Sequence, residues 1–122
     1  SDGCFLAATI DNADGAAEGI YVTGFAPSPK TSVDQQWVSA YQAVEFRNPD
    51  TYSVNGYSAM QVLAEGVKKA GALTGSKVRD AIRNLDIKTP LGQVQFQDNG
   101  DLRKAQIYVF QVKDGQFTQV AP

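Results

Sequence analysis

A chain of 122 residues without a single histidine cannot build a Ser-His-Asp or Cys-His centre. It also lacks the commonest general base and transition-metal ligand. The one thiol, Cys4, could act as a nucleophile, yet the sequence places no base beside it, so we read a buried structural thiol. Asp11, Asp14 and Glu18 look like calcium ligands at first sight. They fail the helix-loop-helix calcium spacing, because a glycine at loop position six would require Ile10 at position one. Asp98-Asn99-Gly100-Asp101 is too short for such a loop, and a turn explains it. Nothing selects one catalytic carboxylate pair among thirteen acids, and neither standard glycine-rich phosphate loop is present. Trp37, Tyr41 and Tyr57 fall at helical spacing and read as core rather than as a platform for a ligand. No catalytic residue, metal site or cofactor is therefore assigned.

Composition narrows the class further. An apolar fraction of 43% and a charged fraction of 20% are those of a globular domain. The net charge of −2, with lysines and arginines scattered apart from Lys68-Lys69 and Arg103-Lys104, gives no case for nucleic acid. No apolar run approaches the ~20 residues that a membrane helix needs. Ser1-Asp2-Gly3 opens without the basic and apolar segments of a signal peptide, so in a secreted protein this N-terminus implies processing. One cysteine excludes an internal disulfide and leaves the compartment open.

The elements that must position any site read as follows. Cys4–Asn12 is helix or strand, with Ala13-Asp14-Gly15 ending it. Gly19–Phe25 is β-branched and aromatic between glycines, which predicts a strand. Ala26-Pro27-Ser28-Pro29 is a connector. Three helices follow. The first is capped by Ser32, with a buried stripe of Val33, Trp37, Ala40, Tyr41 and Val44, and is stopped at Asn48-Pro49. The second runs from about Val54 to Ala70, with Tyr57, Met60, Leu63, Ala64 and Val67 on one face and Gly71 as C-cap. The third starts after Gly75-Ser76, capped by Ser76, and buries Val78, Ala81, Ile82 and Leu85. A ribbon of three strands closes the chain, turning at Asn99-Gly100 and Asp114-Gly115.

Read as motifs, that ribbon is Gly92-x-Val94-x-Phe96-x-Asp98-Asn99-Gly100-Asp101, followed by Val112-Lys113-Asp114-Gly115-x-Phe117. Upstream stand Ala17-Glu18-Gly19-Ile20-Tyr21-Val22-Thr23, and Asn55-Gly56-Tyr57-Ser58-Ala59 leading into Val62–Gly71. Lys77–Ile82 and Lys88-Thr89-Pro90-Leu91-Gly92 complete the set. In this order the motifs resemble the C-terminal part of the substrate-binding proteins of bacterial ABC importers for branched-chain amino acids. These are type I periplasmic binding proteins, and Ser58 stands where their helix usually has Asp. The resemblance spans essentially the whole chain and the last third of such a protein.

The resemblance implies a partial α/β fold. Residues 1–23 would end the second lobe and 24–29 would be a hinge crossover. Residues 30–90, the helical part, would pack on the first lobe, and 91–122 would be a crossover and the terminal ribbon of the second. It implies no enzyme and no cofactor. A ligand of amino-acid or small-acid type would lie in the interlobe cleft, a membrane permease would be the partner, and the location would be periplasmic or lipid-anchored outside the cell. Asp2, within a loop similar to G-x-(D/E)-G, would accept hydrogen bonds from the ligand's α-ammonium. Phe25 would line the cleft wall or pack in the hinge or core. A regulator of the same fold sensing amino acids or amides, and a non-binding interaction fragment, are the alternatives. Unpartnered edges in such a fragment predict dimerisation, strand exchange or pairing with the rest of a parent chain.

Overall fold

The computed structural model describes residues 2–122, except for the side chain of Pro29; Ser1 of the Ser1-Asp2-Gly3 motif lies outside the described residues. It divides into two compact units. One comprises the residues up to Tyr52 together with Gln106–Pro122, the other Ser53–Ala105.

The first unit is built on a three-stranded antiparallel sheet. Strand β1 (Tyr21–Gly24) pairs with β4 (Tyr108–Lys113), and β4 with β5 (Gln116–Ala121). Asp114 and Gly115 both have positive φ, 52° and 68°, as a two-residue hairpin turn requires. The Glu18 carboxylate braces this turn, accepting from the N–H groups of Asp114 (3.0 Å) and Gly115 (3.2 Å). That gives Glu18 a structural role in place of metal binding. Val22 and Phe110 face each other in the ladder, both buried, and Phe110 is fully enclosed. Phe5 stacks on Phe110 at 3.9 Å and meets the edge of Phe117 at 5.0 Å. Gly24 makes this possible: a Cβ there would sit 2.9 Å from the Phe5 ring and 3.2 Å from Phe110.

Three helices accompany the sheet: α1 (Ala7–Asp11), α2 (Pro29–Ser32) and α3 (Gln35–Glu45). Ser32 does not cap the long helix, because it ends α2; Asp34 does so, its carboxylate accepting from Trp37 N–H at 2.8 Å. The helix stops before Asn48-Pro49, at Phe46, which is left-handed (φ 56°) and returns its N–H to Gln42. Its apolar stripe is not buried. No residue of α3 is enclosed, Trp37 and Tyr41 stack on each other at 5.4 Å, and Val44 is 73% exposed.

In the second unit α4 (Ser53–Ala70) crosses α5 (Gly75–Arg83), and β2 (Asp86–Thr89) pairs with β3 (Gly92–Gln95). Gly71 (φ 61°) ends α4 as the sequence predicts. The enclosed face of α4 is Val54, Ser58 and Gly66, whereas Tyr57, Met60 and Leu63 are exposed. The cause is contact distance. Ile82 of α5 lies where a Cβ of residue 66 would be, so small residues make the crossing and larger ones are left outside. Thr74, not Ser76, precedes α5, whose Val78 is buried as expected; Leu85 just beyond is buried too. Strand β2 is an addition to the predicted order. Asn99-Gly100 joins only an isolated bridge, Phe96 with Leu102, and does not lead directly to β4. Gly100 has positive φ while Asn99 does not, which is a type I turn with a following left-handed glycine.

Candidate functional site

The fold places Asp2 on a single 3-10 turn, Asp2–Cys4, packed against β1. The Phe5 N–H donates back across the turn to the Asp2 carbonyl at 2.9 Å. The buried Phe5 ring anchors its end in the aromatic core. Two consecutive residues far along the chain hold its carbonyls. The Thr51 hydroxyl donates to the Phe5 carbonyl at 2.5 Å, and the Tyr52 hydroxyl to the Asp2 carbonyl at 3.3 Å. Asp2 itself is half-buried. Cys4, on the same turn, is an exposed free thiol, which corrects the expected buried one: Phe5 takes the inward position and Cys4 faces out.

Phe25 follows β1 directly and is 64% exposed, so it is not a core residue, while its neighbour Ala26 is buried. Tyr52 was not foreseen as part of this site. Its only sequence signal was an aromatic residue between two helices, and it takes the contact with Asp2 to single it out.

Two concavities accompany these residues. In the first unit a depression of about 220 Å³ is lined by Phe5, Ile10, Lys30, Asp50, Thr51 and Gln116, with Lys30 Nζ donating to Gln116 Oε1 at 2.8 Å. In the second, an apolar groove of about 560 Å³ runs between Leu63, Val67, Leu73, Val78, Ile82 and Phe96. Among the described residues no group of three or more Cys, Asp or Glu side chains is placed to hold a metal ion.

The family model for the periplasmic binding proteins matches residues 4–116. This chain belongs to that family. It is 31% identical over 109 residues to the leucine-, isoleucine-, valine-, threonine- and alanine-binding protein of Pseudomonas aeruginosa, covering 86% of this chain and 28% of that protein. Among solved structures, the leucine-binding protein LivK of Thermotoga maritima superposes with a TM-score of 0.82 at 25% identity. That match covers 98% of this chain and 35% of the other. A substrate-binding protein of an ABC transporter from Desulfitobacterium hafniense, in complex with Leu, gives 0.70 at 28% identity, over 85% and 32%. The chain thus spans about a third or less of the length of these relatives, and its α/β architecture is part of the type I periplasmic-binding-protein fold.

Proposed function

We propose that these residues are part of an extracytoplasmic solute-binding protein of an ABC importer that takes a branched-chain or related amino acid. The observation that carries the reading is the 31% identity, over most of the chain, to a protein named for binding five small amino acids. In this reading the protein is not an enzyme, and the relatives named above are binding proteins. Residues 1–23 and the ribbon within 91–122 serve the second lobe, 24–29 form a crossover, and the helical stretch within 30–90 serves the first. Ligand bridges the lobes and shifts an open–closed equilibrium by its differential affinity for the closed form. The closed form then meets the permease.

Asp2 is the proposed acceptor for the ligand's α-ammonium, since a charge-assisted hydrogen bond in a water-poor cleft is stronger than a neutral one. Phe25, exposed at the start of the crossover, is the proposed wall residue. Uncovered surfaces support a larger whole. Leu73 is 85% exposed and Phe46 90%. Further polypeptide of the same protein, or a second copy of this chain, would cover them.

Calorimetric titration of leucine into the native protein carrying these residues tests the reading. Binding is expected, and Asp2→Asn is expected to weaken it about ten- to a hundredfold. Leucine binding unaffected by Asp2→Asn would reject Asp2, and absence of binding to any branched-chain or related amino acid would reject the function. Light scattering on the 122-residue chain alone is expected to show association rising with concentration; a monomer throughout would reject the pairing.

A further inference from the structure

We propose that Thr51 is a positioning residue for Asp2, a latch that fixes the acidic turn from 46 positions beyond Phe5 in the sequence. The inference rests on the reading of Asp2 as the ligand's acceptor and adds a residue that nothing in that reading required. A single 3-10 turn of three residues is marginal by itself. Asp2 begins such a turn, so what the turn is tied to helps to hold its carboxylate in place. The Phe5 ring supplies one tie, through Phe110 and Phe117. That tie fixes the ring but leaves the Phe5 carbonyl in need of a donor. The Thr51 hydroxyl is that donor, at 2.5 Å, on a residue only 9% exposed.

Thr51 is itself fixed. Its N–H donates to the Asp50 carboxylate at 2.8 Å, and its hydroxyl lies 3.4 Å from the same oxygen. Tyr52, the next residue, spans the opening of the turn with its hydroxyl on the Asp2 carbonyl. The two ends of the turn are therefore gripped by neighbours in sequence, 46 and 50 positions away. A preorganised acceptor loses less conformational freedom when it meets a ligand, so the latch contributes to affinity without touching the ligand.

Two measurements on Thr51→Val and Thr51→Ser test this, the first needing no ligand. Amide hydrogen exchange at Phe5 should quicken about tenfold in Thr51→Val, the equivalent of one hydrogen bond. Amides of Val22 and Val112 should change far less, and Thr51→Ser, which keeps the hydroxyl, should behave as wild type. A Phe5 rate unchanged in Thr51→Val, or raised equally across the sheet, would overturn the latch. The second is leucine affinity in the native protein: a fall of about tenfold in Thr51→Val, restored in Thr51→Ser, is expected. Equal affinity in wild type and Thr51→Val would overturn the positioning role. A wild type that does not bind leucine would refute the functional reading alone, because the exchange result still decides whether Thr51 holds the turn.

Discussion

Glycine 24 shows how tightly one position can be set by its surroundings. Its missing side chain admits the Phe5 and Phe110 rings, which stack over it, so Gly24→Ala forces at least one ring off its place. Overpacking of this kind costs about 1–3 kcal/mol, and a urea midpoint lowered by that energy divided by the m-value is expected. Unchanged stability would mean that the rings shift freely. Asp86 is set by different forces. The Gln93 amide, then that of Gln95, hydrogen-bonds its carboxylate and lowers its pKa below the ordinary 3.8; Arg103 adds a weaker attraction, and lost hydration opposes. A depressed folded value means that this carboxylate favours the folded state at pH above 3.8 and ceases to as pH falls through the folded value. A chemical-shift titration of Asp86 should therefore give a midpoint below 3.8, returning toward it in Gln93→Ala. The side chain is exposed, so the effect on stability is small. Neither feature could be read from the sequence, since both depend on a neighbour brought in by folding.

Helix faces mark where sequence periodicity succeeds and where it misleads. On α5 and just beyond it the spacing of Val78, Ala81, Ile82 and Leu85 selects the right face, because the partner helix α4 lies within the chain. On α4 the large residues Tyr57, Met60 and Leu63 promised the buried side, yet Val54, Ser58 and Gly66 are the enclosed ones. Hydrophobicity ranks what would gain from burial, whereas closeness of approach is decided by small side chains. Gly66→Ala should therefore loosen the α4–α5 crossing by about 1–3 kcal/mol. The double variant with Ile82→Ala should lose less than the sum of the two single variants, since the second change removes the obstacle. Strict additivity in denaturation would show that the two positions do not meet. Capping gives a second contrast. Asp34→Ala should cost about 1 kcal/mol, and Ser32→Ala close to nothing, as the cap belongs to Asp34. The turn signals fared better: Asp114-Gly115 and Gly71 adopt the conformations that their types demand. Strand β2 escaped notice because Asp86-Ile87-Lys88-Thr89 gains strand character only from pairing with β3.

At the scale of the whole molecule, the division into units cuts the sequence twice, between Tyr52 and Ser53 and between Ala105 and Gln106. Charge follows the same division. Eight of the eleven lysines and arginines lie in Ser53–Ala105, and eight of the thirteen acids lie in the other unit. Motifs in order along the chain were enough to indicate the family, but they carried no trace of this partition, which depends on which segments fold back together. The second boundary offers a direct test. Arg103, Lys104, Ala105 and Gln106 are exposed and belong to no helix or strand. Most other tryptic sites in the unit, at Lys68, Lys69, Lys77 and Arg79, lie within α4 and α5. A protease needs an extended, unpaired backbone, and Arg103 N–H is held by the Gln95 carbonyl at 2.9 Å, so within this unit the first cut should fall after Lys104. The released end would still hold β4 and β5, with Phe110 enclosed against β1 and Phe5. The nicked chain should therefore elute as one species in native buffer and as two pieces in denaturant. First cleavage within α4, or a ribbon that leaves without denaturant, would show that the helices are less firmly held than their packing implies, or that the aromatic core does not retain the strands.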